Sequence, residues 1–132
     1  MLLKSLLKLQ LGYYFSGLLF NAVSFYLISQ GEQALTPNDP LFGTIGMTIY
    51  ACFLIPGFLK KIIFYRILMG LAIILLGYGG ILNHLNFIRD TPELYYSVAA
   101  GLIGVSINIF GLGLNTIAAL GKFKVENIES NL

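Results

Sequence analysis

The chain has 132 residues, of which 57% are hydrophobic and 11% are charged, and its formal net charge is +2. Water-soluble globular proteins carry charge on about a quarter of their residues, so this composition predicts a membrane protein with room for about four bilayer spans. The small, scattered positive charge argues against nucleic acid as a partner, and the single cysteine, Cys52, excludes an internal disulfide and a multi-cysteine metal site. We expect no metal and no cofactor.

Four long apolar stretches occupy residues 11–28, 42–59, 62–83 and 96–120. Buried strands run about 4 to 8 residues, whereas a helix needs about 20 to cross a bilayer, so each stretch is predicted to be a transmembrane helix. The predicted fold class is all-α: a polytopic membrane protein with a four-transmembrane-helix bundle. This bundle forms one domain over residues 1–121, and a polar cytoplasmic tail follows over residues 122–132.

The first apolar stretch has an alternative interpretation, in which residues 1–31 are a cleaved signal peptide. Lys4 and Lys8 precede the apolar run, and small residues follow it at Ser29 and Gly31. The run is longer than the usual signal core of about 7 to 15 residues and contains Asn21, so a retained first helix is preferred.

Three connections separate the helices. The first, SQGEQALTPNDP (29–40), holds two prolines and cannot continue a helix, while the second, GFLKK (57–61), is so short that helices two and three must form a hairpin. In the third, NFIRDTPELYY (86–96), Asp90 or Thr91 is the predicted N-cap, so helix four is expected to start near Pro92.

Basic residues predict the orientation, because short loops that retain Lys and Arg stay in the cytoplasm. Seven basic residues fall on one side of the four-span arrangement and only Arg89 falls on the other. The seven are Lys4, Lys8, Lys60, Lys61, Arg66, Lys122 and Lys124. Both termini are therefore predicted to be cytoplasmic, in a bacterial inner membrane.

Small and polar residues recur along three of the predicted helices at spacings of three and four, which places them on one helix face. The clearest stripe lies in helix four, a comparable one lies in helix three, and a shorter one lies in helix one. Their members are Gly101, Gly104, Asn108, Gly111 and Asn115; Arg66, Gly70, Ile73, Gly77, Gly80 and His84; and Gly17, Asn21 and Ser24. Such stripes are expected to face other helices, not lipid.

Several of these polar residues form a candidate intramembrane cluster: Asn21, Ser24, Tyr50, Gly104, Asn108 and Asn115. Counting about 1.5 Å of rise per residue puts Asn21, Tyr50 and Asn108 near the midplane, where an Asn21–Asn108 hydrogen bond could form. Asn115 and Arg66 come out at a common depth nearer the cytoplasm and could also meet. The preferred interpretation is adhesion between helices, and the alternative is a polar pocket at the midplane.

Arg66 and His84 are predicted near opposite ends of helix three. Arg66 is expected to extend toward the cytoplasmic headgroups; alternatively it contacts an anionic headgroup together with Lys60 and Lys61. His84 is expected to end helix three at the outer interface, and a proton-sensitive gate is the alternative for this titratable group.

No acidic residue lies inside a predicted span, and no nucleophile–base pair or metal-ligand cluster is evident, so we do not expect an enzyme. The preferred function is that of a non-catalytic subunit or anchoring component, whose partners would be lipid and other membrane helices in a homo- or hetero-oligomer. The alternative is a small oligomeric transporter or flippase for a hydrophobic or lipid-linked solute.

Overall fold

A computed structural model of the protein describes residues 1–126. Five α-helices account for most of this range: α1 (Leu3–Ser29), α2 (Pro40–Phe58), α3 (Ile62–Leu75), α4 (Asn83–Asp90) and α5 (Val98–Ala119). A π-helical segment, Leu76–Leu82, joins α3 to α4 without a break, and a 3₁₀ turn, Pro92–Leu94, precedes α5.

Four of the resulting helical units are long and apolar enough to cross a membrane: α1, α2, the continuous unit Ile62–Asp90, and α5. The predicted all-α architecture with four apolar spans is thus confirmed. The third span is longer than the predicted stretch 62–83, because the chain stays helical through the π segment and on to Asp90.

Two of the spans, α2 and α5, begin at a residue whose side chain caps the first turn. Asp39 caps α2 by accepting a hydrogen bond from the Leu41 N–H at 2.8 Å, and Pro40 follows as the first helical residue. Ser97 caps α5 by accepting from the Ala100 N–H at 3.1 Å. The prediction that this helix starts near Pro92 is wrong, because Pro92 opens the 3₁₀ turn instead.

Contacts between chain segments show which helix ends lie together. The backbone of Lys124, after α5, pairs with the backbone on either side of Leu2 through hydrogen bonds of 2.8 and 2.9 Å. At the opposite end, Leu35 bonds Ser24 and Asn38 bonds His84. Consecutive spans therefore alternate in direction. We call the end that holds Leu2 and Lys124 the basic end, and the end that holds residues 30–39 and 91–97 the loop end.

The four spans pack in a ring in the order α1, α2, α3, α5, so that each contacts two neighbours. The core holds large side chains with no exposed surface, among them Leu6, Tyr13, Tyr65 and Met69. Large apolar side chains such as Phe15 and Ile63 are exposed on the outside, as expected where a bundle meets lipid.

The structure also bears on the two ends of the chain. Residues 127–132 of the predicted polar tail lie outside the described residues. Within residues 1–31, α1 supplies part of the core through Leu3, Leu6 and Tyr13, so the segment weighed as a signal peptide packs as an integral helix of the bundle.

Candidate functional site

A cavity of about 470 Å³ lies inside the loop-end half of the bundle. All four spans and the connection between α1 and α2 contribute to its wall. The polar residues that line it are Tyr13, Asn21, Thr36, Asn38, Asp39, His84 and Asn108, and the apolar lining includes Phe20, Phe42, Met47, Leu76 and Ile107. A membrane bundle that encloses this many polar side chains has the composition of a binding site.

One face of α1 forms the first wall of the cavity. Tyr13, Gly17 and Asn21 follow one another at spacings of four, which stacks them on a single helix face. The Asn21 amide nitrogen donates to the Gly17 carbonyl oxygen at 3.0 Å. A Cβ atom placed on Gly43 of α2 would lie 2.4 Å from Asn21 Oδ1, so the missing side chain at Gly43 makes room for this amide.

The π-helical segment forms the opposite wall, where Gly79 and Gly80 line the cavity. Asn108 of α5 donates from Nδ2 to the Gly80 carbonyl oxygen at 2.9 Å, and its Oδ1 accepts from the Tyr13 hydroxyl at 3.2 Å. Asn108 therefore bridges α1 and the π segment. π-Helical turns occur often at functional sites, because their wider winding displaces backbone groups that then need other partners.

His84 lies at the mouth of the cavity, where its ring is only 7% exposed. The Asn38 amide nitrogen can only donate, so the 3.1 Å contact makes His84 Nε2 an acceptor and leaves the proton on Nδ1. Nδ1 then donates to the Tyr95 hydroxyl oxygen at 2.8 Å, and that hydroxyl donates to the His84 carbonyl at 3.3 Å. Burial raises the pKa of the Tyr95 phenol, which keeps its proton for this contact.

The connection between α1 and α2 folds over the mouth and is held at three points. Leu35 donates its backbone N–H to Ser24 Oγ at 3.2 Å, Asn38 bonds His84, and the Gln33 amide donates to the Glu93 carbonyl at 2.9 Å. Thr36, which belongs to this connection, is buried and lines the cavity. The loop is thereby tied to α1, to α4 and to the segment before α5.

The basic-end half of the bundle is filled by a second set of polar side chains, Gln10, Tyr50, Tyr65 and Asn115, which we call the amide cluster. Asn115 Oδ1 accepts from Gln10 Nε2 at 3.0 Å and from the Tyr50 hydroxyl at 2.8 Å. Gln10 Oε1 accepts from the Tyr65 hydroxyl, and Gln10 Nε2 also reaches Met69 Sδ at 3.1 Å. Each of the four spans contributes one member, so the cluster closes the bundle below the cavity.

The amide cluster is buried and tightly packed. Gln10 and Asn115 have 0% exposed surface, and Asn115 Nδ2 has no hydrogen-bond partner within residues 1–126. The Tyr13 and Tyr50 rings meet edge to face with centroids 5.0 Å apart, which places the cluster directly beside the cavity wall.

The structure places the remaining predicted residues as follows. Asn21 and Asn108 line the same cavity but bond to other partners, Gly17, Gly80 and Tyr13, and not to each other. Ser24 holds the connecting loop, and Gly104 lies against Phe20, whose ring would be 3.1 Å from an added Cβ.

His84 and Arg66 differ from expectation in their surroundings. His84 does not end its helix, because α4 continues to Asp90 and the folded connecting loop covers the imidazole. Arg66 does not meet Asn115; its Nε donates to the Ala119 carbonyl at the end of α5, at 3.0 Å, and the side chain is otherwise exposed beside the exposed Lys60 and Lys61.

Six residues of the two polar sets are missing from the sequence-based candidates: Gln10, Tyr13, Thr36, Asn38, Asp39 and Tyr65. The stripe Gly17, Asn21, Ser24 continues backward at the same spacing to Tyr13 and Gln10, so extending it by two turns would have found two of them. Among residues 1–126, no group of three or more His, Cys, Asp or Glu side chains is placed to hold a metal ion.

The comparisons with known proteins add no relative. No family model, curated protein or solved structure matches this chain. The case for a function therefore rests on the geometry of the cavity and of the amide cluster.

Proposed function

We propose that this protein is a small membrane carrier, which binds an amphipathic solute in the cavity and moves it between the loop end and the basic end. The observation that carries the proposal is the cavity itself, whose volume of about 470 Å³ falls within the range of about 300 to 1,000 Å³ typical of small-molecule sites. Its wall is mostly apolar, with a few polar groups from α1, from the unit Ile62–Asp90, from α5 and from the connection between α1 and α2, which is the lining that such sites have.

The depth of the cavity supports a carrier. Asn108 follows the first residue of α5 by ten positions, about 15 Å along a helix that is about 33 Å long, so the cavity reaches roughly the middle of the bundle. Transporter sites commonly lie near the bilayer midplane, beside helices whose regular winding is interrupted. Here the interruption is the π segment, which the Asn108 amide contacts.

The two halves of the bundle differ in a way that alternating access requires. The loop-end half holds the cavity, and the basic-end half is closed by the amide cluster, whose hydrogen bonds join all four spans. We propose that in this state the solute reaches the site from the loop end and not from the basic end. The carrier cycle would break the amide cluster and open the site toward the basic end.

The preferred sequence-based hypothesis, a non-catalytic subunit that anchors partners through glycine faces, receives less support. Within α5 the glycines that would form such a face are covered by side chains of the same chain: Gly101 by Tyr95 and Ile88, Gly104 by Phe20, and Gly111 by Tyr13. This face of α5 holds the bundle together and is not free for another protein, whereas Gly70 and Gly77 of the third span have open space around them.

The charge distribution supports an orientation for the carrier. Seven basic residues belong to the basic end and its first helical turns, and Arg89 alone belongs to the loop end. We propose that the basic end faces the cytoplasm, as the positive-inside rule predicts for a bacterial inner membrane, where Lys60, Lys61 and Arg66 would meet anionic headgroups. The cavity then opens to the outside.

Cysteine accessibility tests the carrier proposal. Gly46 lines the cavity and has open space around it, whereas Gly113 has equal space but lies outside the lining, so the two make a matched pair. Cysteine is placed at each position in a Cys52→Ser background and exposed to a membrane-impermeant thiol reagent in sealed vesicles. We expect position 46 to react from the loop-end side quickly and from the basic-end side slowly, and position 113 to react from neither.

The possible results separate the hypotheses. A position 46 that reacts from neither side contradicts a solute cavity altogether. Reaction from the loop-end side alone contradicts the carrier and leaves a fixed binding pocket, which fits an accessory subunit better.

A further inference from the structure

Most hydrogen-bond donors among the polar groups that line the cavity already bond to acceptors of the protein itself. Tyr13 donates to Asn108, and the amide nitrogens of Asn21, Asn38 and Asn108 each donate to a protein acceptor. His84 donates from Nδ1 to Tyr95 and accepts at Nε2. One N–H of each of these three amides and the Thr36 hydroxyl have no partner within residues 1–126 and remain free for a ligand.

Free acceptors lie in the same lining. Within residues 1–126, no hydrogen bond reaches Asn21 Oδ1, Asn38 Oδ1 or Asp39 Oδ2, although all three residues line the cavity. Asp39 precedes Gly43 by four residues, and Gly43 is the residue against which the Asn21 amide packs. The carboxylate and the Asn21 carbonyl oxygen therefore lie about one helical turn apart along α2.

The charged residues in and around the cavity favour a cationic ligand. No Lys or Arg lines the cavity, and Asp39 is the acidic residue in its wall. The loop end also carries Glu32, Asp90 and Glu93, while its one basic residue, Arg89, is paired with Asp90 at 2.7 Å. An anion would find no Lys or Arg in this lining, whereas a cation would be attracted to its mouth.

The apolar part of the lining suits the body of an amphipathic cation. Phe20, Phe42 and Tyr13 present aromatic rings to the cavity, and aromatic faces attract ammonium groups as well as apolar surface. Met47, Leu76 and Ile107 complete the wall toward the middle of the bundle. The ligand is thus expected to have a donor-rich positive head and an apolar or aromatic body.

We propose that the solute is a monovalent amphipathic organic ammonium ion. Its head group donates to Asp39 and to the carbonyl oxygens of Asn38 and Asn21, and its body lies against Phe20, Met47 and Ile107. This inference rests on the proposed binding function of the cavity and specifies the chemistry of what is bound.

Three probes with one body and different head groups test the inference: 4-phenylbutylammonium, 4-phenylbutan-1-ol and 4-phenylbutanoate. Binding is measured by titration calorimetry to the protein in phosphatidylcholine nanodiscs, with empty nanodiscs to subtract partition into lipid. We expect the ammonium to bind at least about tenfold more tightly than the alcohol, and the carboxylate not to bind.

Two pairs of variants locate the effect. Asp39→Asn removes the charge but keeps a good N-cap for α2, and we expect this variant to weaken ammonium binding by about tenfold or more. Glu93→Gln removes an equal charge at the loop end but outside the lining, and it should change the affinity for ammonium by less than about twofold. Gly46→Leu fills open space in the cavity and should abolish binding, whereas Gly113→Leu should not.

Other results overturn the inference. Equal affinity for the ammonium and the alcohol, tighter binding of the carboxylate, or no binding of the ammonium at millimolar concentration would each show that the ligand class is wrong. An Asp39→Asn variant with unchanged affinity would do the same. None of these results bears on cysteine reactivity at position 46, so a failure of the ligand class is distinguishable from a failure of the carrier proposal.

Discussion

Gln10 of α1 donates a hydrogen bond to Asn115 of α5 across 3.0 Å, and neither side chain has any exposed surface. The contact joins the first and last spans of the chain in the basic-end half of the bundle. Tyr50 donates to the same Asn115 oxygen, and Tyr65 donates to the Gln10 oxygen, so this one pair also recruits the second and third spans. Asn115 is therefore the side chain whose loss should disturb the bundle most.

We expect Asn115→Leu to lower the free energy of unfolding by about 2 kcal/mol, because the buried donors of Gln10 and Tyr50 lose their shared acceptor. The measurement is reversible unfolding in mixed detergent micelles. Thr116→Val is the control, since Thr116 is exposed and bonds only the Leu112 carbonyl of its own helix. Equal effects of the two substitutions would contradict the importance of the amide cluster.

Gly111 and Gly113 offer a test of close helix packing two residues apart. A Cβ atom on Gly111 would lie 2.6 Å from the buried Tyr13 ring, whereas one on Gly113 would meet nothing within 4 Å. Gly111→Ala should destabilise the bundle by about 1 to 3 kcal/mol through overpacking. Gly113→Ala should be neutral or stabilise it by up to about 1 kcal/mol, because alanine favours the helix. Unfolding curves in the same micelles that ranked the two variants in the reverse order would refute the α1–α5 packing described above.

Asn108→Leu tests the link between α5 and the π segment. Without the amide, the Gly80 carbonyl oxygen loses its side-chain donor, and we expect amide hydrogen exchange across residues 76–84 to accelerate by about tenfold. The control is Ser106→Ala, because Ser106 is exposed and bonds only Leu102 of its own helix. Unchanged exchange in the Asn108 variant would mean that the π segment is stable without this contact.

Ser24→Ala tests how the connecting loop is fastened. The substitution removes the acceptor of the Leu35 N–H, so exchange at this single amide should rise several-fold while the amides within α1 keep their rates. Ser29→Ala is matched to it, because the Ser29 hydroxyl is exposed and donates to the Tyr26 carbonyl instead of holding the loop. A Leu35 amide that exchanges at the same rate in both variants would show that the loop is held elsewhere.

The proposed orientation is tested by labelling one residue at each end of the bundle. In a Cys52→Ser background, Lys122→Cys should be labelled only after the cytoplasmic side is opened, and Gln33→Cys should be labelled on intact cells. Both positions are exposed in the folded protein. Labelling of both from the same side would contradict the four-span arrangement, and the reverse pattern would invert it.

The length and apolar character of the spans were sufficient to predict the helical architecture, because a membrane helix is long and nearly uniform in composition. The partners of individual side chains were less accessible. Asn21 and Asn108 have the depth needed for a mutual hydrogen bond, but rotation about each helix axis decides the outcome, and Tyr13 stands nearer to Asn108. Residue spacing along the sequence therefore predicts the depth of a side chain in the bundle well, but it predicts poorly which neighbouring helix the side chain faces.

The departure from regular α-helical winding is a second feature that the sequence does not predict. The glycines of the π segment predict close approach but not the extra width of the turn, and this width shapes the cavity wall. The predicted first span begins at residue 11 and leaves Gln10 outside it, although the helix begins at Leu3 and buries Gln10 completely. The signal that marks Gln10 as a core position is its place on the stripe Gly17, Asn21, Ser24, which shows only when that stripe is extended past the predicted start of the span.

The π-helical winding at Leu76–Leu82 has a consequence for changes in chain length. A π turn holds one more residue than the α-helical turn it replaces. A single deletion between Leu76 and Leu82 could therefore be absorbed by conversion to α-helical winding, and Tyr65 and His84 would keep their orientations about the helix axis relative to each other. The same deletion in α3 would swing every later side chain of the span by about 100° and carry His84 away from Asn38. Single-residue deletions in the third span should accordingly be tolerated mainly at these seven positions.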